Sequence, residues 1–89
     1  MIKSKAMGIK FTKHAEEKFE TLARHKFIVT KAQVIETLAS PDKVESETDP
    51  PIAQKGLNET HVLRVVYRVE GNDKIVITFY PGRKKRYED

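Results

Sequence analysis

With 89 residues the chain has room for one domain, 1–89, and not for two; a domain of this size buries only about 60 to 65% of the surface its unfolded chain exposes. At 38% hydrophobic and 34% charged residues it reads as globular with a thin core, and the lack of cysteine excludes disulfides, thiolate metal sites and a cysteine nucleophile. Lys plus Arg number 17 against 13 Asp plus Glu; without Arg83, Lys84, Lys85 and Arg86 the signs balance, so the excess is local and suited to attract phosphate at one place.

The opening "MIKSKAMGIK" lacks the apolar core of a signal peptide, and no run approaches the roughly 20 apolar residues of a membrane span. The expectation is a cytoplasmic protein with no membrane partner. After an extended piece, "GIKF", the segment from Thr12 to His25 places Phe11, Ala15, Phe19, Leu22 and Ala23 on one apolar stripe of a helix, with Thr12 as its N-cap. His14, Lys18, Thr21 and His25 line one flank of that stripe. A second helix begins at Thr30, which forms a capping box with Gln33 and is closed by a Val29–Val34 staple; Ser40-Pro41 ends it. From Lys43 to Pro51 the chain is polar, with at most a short strand around Val44.

The remainder reads as strands: "IAQKGLN", then "HVLRVVYRV", then "KIVITFYP" after the turn "EGND". Leu63, Val65, Tyr67 and Val69 make the core face of the middle strand, and Val62, Arg64, Val66 and Arg68 the other. In the last strand Ile75, Ile77 and Phe79 are expected in the core, with Val76, Thr78 and Tyr80 opposite. A three-residue loop, Gly71-Asn72-Asp73, keeps both apolar faces together by pairing Glu70 with Lys74; the same parity sets Val66 against Thr78 and Arg64 against Tyr80. Pro81-Gly82 reads as a turn that sends the basic end back over Arg64.

The strongest constellation of reactive side chains is Arg64, Arg68, Tyr80, Arg83, Lys84, Arg86 and Tyr87. Guanidinium forks bind phosphate bidentately, lysine adds point charge, and tyrosine stacks on a base or exchanges a proton. Against this stand two plain alternatives: Arg64 and Arg68 as a solvated sheet face paired with carboxylates, and Tyr87 as a ring that pins the terminus to the sheet. His14, His25 and His61 are scattered, with no carboxylate spacing for a metal. Gly56, Gly71 and Gly82 read as turn or bulge residues.

Three segments carry a resemblance: "TKHAEEKFETLARH", "VTKAQVIETLASPDKV" and "LRVVYRVEGNDKIVITFYPGRKKRYE". Together, with a His14-Ala15 pair opening the first helix, they resemble the RelE/ParE-like toxin superfamily, nearest to BrnT-like toxins and a related small uncharacterised-domain family. The chain departs from that pattern where BrnT-like toxins usually link the helices by Lys-His-Gly and this one reads "RHKFIVT", and where an Arg-Lys-Ala run gives way to "FYPGRKK". The resemblance implies an α+β fold, two N-terminal helices packed on one face of a three- to four-stranded antiparallel sheet. It implies a toxin-type RNA-binding protein acting on RNA or ribosome-bound mRNA, a metal-independent ribonuclease with no cofactor. Arg64, Tyr80, Arg83, Arg86, Tyr87 and His14 would be its catalytic groups, and Arg68, Lys84, Lys85, Lys18 and His25 would bind RNA. An acidic antitoxin, or a second copy in a homodimer, would add the surface the thin core lacks. The alternative is a non-catalytic module that binds nucleic acid or an acidic protein through the same patch.

Overall fold

A computed structural model describes residues 8–87. Its elements in chain order are β1 (Ile9–Phe11), α1 (Lys13–Arg24), α2 (Lys31–Ala39), β2 (Lys43–Glu45), β3 (Ile52–Gly56), β4 (His61–Glu70), β5 (Asp73–Arg83) and α3 (Lys84–Tyr87). The class is α+β. The sheet has five strands in the order β1-β5-β4-β3-β2 and is mixed. Strands β2 to β5 form the expected antiparallel array, and β1 adds to β5 in parallel. The entirely antiparallel sheet of three or four strands is thereby corrected: the short "GIKF" piece finds the free edge of β5 before the chain enters α1. No helix among the described residues is long and apolar enough to cross a membrane.

Both long helices start as their sequences dictate. The Thr12 hydroxyl accepts from Ala15 N–H, and Thr30 and Gln33 close a reciprocal capping box. Helix α1 ends in a pair of bonds from Lys26 N–H to Ala23 O and from Phe27 N–H to Leu22 O, with Lys26 in the left-handed region at φ 69°. The apolar stripes of both helices bury Ala15, Leu22, Val34 and Leu38 against Leu63, Val65, Tyr67, Val76 and Phe79 of the sheet. Phe19 packs on Phe79 with ring centroids 4.7 Å apart. This places the helices on the face from which Leu63, Val65 and Tyr67 project, and Arg64 projects from the other.

The β4–β5 register corrects one expectation and explains why another holds in spite of it. Glu70 pairs with Asp73, so the turn contains two residues, Gly71 and Asn72, with Gly71 at φ 59°. Such a turn would set the rest of β5 on the wrong face. A bulge at Ile77 inserts one extra residue and cancels the shift, and beyond it Val66 pairs with Thr78 and Arg64 with Tyr80. Before the bulge the faces are exchanged. Val76 lies opposite Tyr67 in the core, and Ile75 lies opposite Arg68 on the other side. The bulge is also where α1 is attached: Thr12 N–H donates to Val76 O at 3.0 Å and its hydroxyl to Ile77 O at 3.1 Å. Thr12 thus caps the helix and satisfies carbonyls that the interrupted ladder would strand.

Candidate functional site

On the face of the sheet away from α1 and α2, the register aligns Lys43, Gln54, Arg64 and Tyr80 across four strands in one row. Arg64 is the centre of that row. It is only 3% exposed, so each of its donors must find an acceptor inside the protein. Its Nη2 donates to Glu45 Oε1 at 3.1 Å and its Nη1 to Glu45 Oε2 at 3.3 Å, a fork-to-carboxylate pair, while Nη1 also donates to the buried Gln54 carbonyl. Nε donates to the Tyr80 hydroxyl at 3.0 Å.

The ring of Tyr87 covers this guanidinium, whose central carbon lies 4.1 Å from the ring centroid. The segment that delivers Tyr87 is short and well tied. Lys84 N–H donates to Thr60 O, and the Tyr87 carbonyl accepts from Lys43 Nζ at 2.9 Å and Gln54 Nε2 at 3.3 Å. Pro81 and Gly82 do not form the turn expected of them. Both belong to β5, opposite Leu63 and Val62, and the chain turns only afterwards, in α3. Gly82 serves as a seat, since a β-carbon there would collide with the Tyr87 ring.

Electrostatics follow from this packing. Hydrogen bonding to Arg64 holds the Glu45 carboxyl below its ordinary range; burial opposes this, and the charges of Arg64 and Lys43 add to it. For Arg64 the largest single influence is burial, which favours the neutral form, but its bonds to Glu45 and Tyr80 outweigh it and the pKa rises. Arg64 and Glu45 are therefore both charged, and paired, at neutral pH.

The cations of the terminal segment are arranged differently. Among the described residues no carboxylate lies within ion-pair distance of Arg83, Lys84, Lys85 or Arg86. Arg83, Lys85 and Arg86 line an open concavity of about 530 Å³ together with Pro81, Gly82 and Tyr87. Among the described residues, the outer edge of β5 has no strand partner beyond Val76, since β1 pairs with Lys74, Ile75 and Val76. The concavity thus presents three cations that have no ion-pair partner among the described residues, an arrangement that attracts an anion.

Of the residues singled out from the sequence, the structure brings Tyr80 and Tyr87 to Arg64 and sets Arg83, Lys85 and Arg86 around the concavity beside Tyr87, while Lys84 lies in the same segment outside that lining. It does not bring in His14 and Lys18, on α1, or His25, at its C-cap, which lie with the sheet between them and Arg64. His25 Nδ1 bonds its own helix at Thr21 O. Arg68 sits further along β4 and pairs with Glu70 at 2.6 Å. His61 stands opposite Arg83 but packs edge-on against Phe27 and bonds the Thr60 hydroxyl. No group of three or more His, Asp or Glu among the described residues is arranged to hold a metal ion. The participants that sequence reasoning missed are Lys43, Glu45 and Gln54. Gln54 was findable by parity, because Ala53 faces the core and its neighbour must then share the face of Arg64; Glu45 lay within a polar run that offered several carboxylates.

No family model, curated protein or solved structure matches the chain.

Proposed function

We propose that the protein binds RNA through its basic C-terminal segment, as a toxin-type protein of the RelE/ParE-like kind. The observation that carries this reading is the contrast between two sets of cations that flank Tyr87. Arg64 is consumed by Glu45, Gln54 and Tyr80, and together with Tyr87 it fixes the segment in place; Arg83, Lys85 and Arg86 are left around a concavity with no carboxylate from residues 8–87 beside them. Four adjacent cations repel one another, and holding them in a defined place is useful chiefly to something that presents phosphates or carboxylates.

Cleavage is the further step the toxin reading implies. A ribose 2′-oxygen would attack the adjacent phosphorus, the bond to the 5′-oxygen would break, and the 2′-proton would pass through a protein group to the leaving oxygen. Arg83 and Arg86 would stabilise the charge on the phosphate. The packing of Tyr80 and Tyr87 around Arg64 favours binding as the primary activity, because both rings already have a positioning task. An acidic antitoxin protein would be recognised by the same cations.

The test is RNA binding as a function of salt. For the wild type the affinity for a single-stranded oligonucleotide falls steeply with salt, and the double substitution Lys85→Ala, Arg86→Ala lowers the log-log slope by about 0.7 for each phosphate that is no longer neutralised. An unchanged slope would remove the segment from the interface. If Tyr80→Phe and Tyr87→Phe abolish release of a 2′,3′-cyclic phosphate product while leaving binding intact, the protein is a ribonuclease; if the wild type releases none, it is a binding module.

A further inference from the structure

We infer that the Arg64 fork is a latent phosphate site which the protein's own Glu45 occupies as a stand-in. This rests on the face described above but not on RNA being the ligand. A carboxylate and a phosphate present the same pair of oxygens to a guanidinium, and Glu45 takes the fork in that bidentate way, at 3.1 and 3.3 Å. The four neighbours of the guanidinium are not equally committed. Gln54 is 3% exposed and belongs to β3, Tyr80 to β5, and Tyr87 lies over the ring-facing side. Glu45 alone is the terminal residue of a three-residue edge strand, and its side chain is 31% exposed. It is the partner that can leave into water with little other rearrangement, and the gap it vacates opens to solvent on the β2 side.

The local charge favours an incoming anion. Lys43 Nζ lies 4.0 Å from Glu45 Oε2, so a phosphate in the place of the carboxylate would meet both Lys43 and Arg64. Glu45 is ionised at neutral pH, which makes the exchange one anion for another and leaves the buried guanidinium compensated throughout. A phosphate carries more charge than the carboxylate it replaces, and the two cations can accept it.

Inorganic phosphate is the probe, and the Nε–H signal of Arg64 in the full-length protein is the readout by NMR. In the wild type that signal should move saturably as phosphate is added. In Glu45→Gln, which keeps the side-chain shape and removes the competing charge, the same shift should appear at about tenfold lower phosphate, the factor that corresponds to about 1.4 kcal/mol. Should Glu45→Gln fail to fold, Glu45→Asp, whose shorter carboxylate cannot fill the fork, should give the same direction of change. The proposal is overturned if Arg64 does not respond to phosphate in the wild type, or if a folded variant responds no more readily than the wild type. RNA binding answers separately. A phosphate response without RNA binding sinks the RNA reading alone, and salt-dependent RNA binding with an inert Arg64 sinks only the latent site.

Discussion

The ring of Tyr87 occupies the space where Gly82 lacks a side chain. Gly82 lies within β5, paired with Val62, and its backbone forms one wall of the pocket into which the ring settles above Arg64. Gly82→Ala would force the two apart. The ring is carried on a four-residue helix at the end of the described chain, so the cheaper response is for α3 to lift rather than for β5 to distort. The expected outcome is a folded protein whose amides at Arg86 and Tyr87 have lost hydrogen-exchange protection, with about 1 to 2 kcal/mol less stability. Unchanged protection would mean that α3 is held by its backbone bonds to Thr60, Lys43 and Gln54 without the seated ring.

Tyr87 separates the role of its ring from that of its hydroxyl. The ring stacks on a buried guanidinium, whereas the phenolic oxygen makes no hydrogen bond among the described residues. Tyr87→Phe should therefore leave the denaturation midpoint within experimental error, and Tyr87→Ala should cost about 1 to 3 kcal/mol through the removal of stacking and burial. Equal losses for the two variants would contradict this division.

Thr12 is asked to do three things at once: accept from Ala15 N–H, donate its hydroxyl to Ile77 O and donate its backbone to Val76 O. Only the first two depend on the side chain. Thr12→Ser should be nearly neutral, while Thr12→Val, equal in shape but without the hydroxyl, should lose about 1 to 3 kcal/mol in urea denaturation because a cap and a bond to the bulge disappear together. If Thr12→Val matched the wild type, the bulge carbonyl would have to be satisfied by water.

These three residues also mark how far the sequence could be read. The helix start at Thr12 and the capping box at Thr30 are local, written within four residues, and both were legible. The opposition of Arg64 and Tyr80 follows by parity from a turn of the wrong length, and it stands because the Ile77 bulge restores the parity that the two-residue turn removes. Nothing in "KIVITFYP" announces that bulge; it is fixed by Thr12, 65 residues away in the chain, and long-range constraints of this kind leave no local pattern. The same holds for Glu45. Several carboxylates lie between Val44 and Asp49, and only the pairing of β2 with β3 brings one of them to Arg64. Gly82 reads as a turn because glycine usually serves flexibility, whereas here its use is the volume it does not fill.

Just past the C-cap of helix α1, Lys26 stands at φ 69°, a conformation in which a β-carbon crowds the following carbonyl. Lys26 forms no ion pair among the described residues, so its replacement should sacrifice little. Lys26→Gly relieves the crowding, and the added freedom of the unfolded chain offsets part of the gain. Thermal denaturation should therefore show Lys26→Gly at least as stable as the wild type, by up to about 1 kcal/mol, and Lys26→Val clearly less stable. A loss of stability in the glycine variant would mean that the lysine stem contributes packing that outweighs the strain.

Acid should act on the same face through Glu45. Its folded-state pKa is lowered, chiefly by hydrogen bonding to Arg64, so the folded protein binds a proton at this residue less readily than the unfolded chain does. The stabilisation is present in full above the unfolded value of about 4.3 and is lost as the pH falls through the lower, folded value. Glu45→Gln cannot titrate, and a protonated glutamic acid resembles glutamine in shape and charge. The stability difference between wild type and Glu45→Gln should consequently be largest near neutral pH, begin to shrink below about pH 4.3 and approach zero once Glu45 is protonated in the folded protein. Urea midpoints measured for both proteins across the acid range provide the check. Parallel curves for the two would show that the Arg64 pair contributes no pH dependence, and a difference that grew toward low pH would reverse the assignment of Glu45 as the buried arginine's counter-ion.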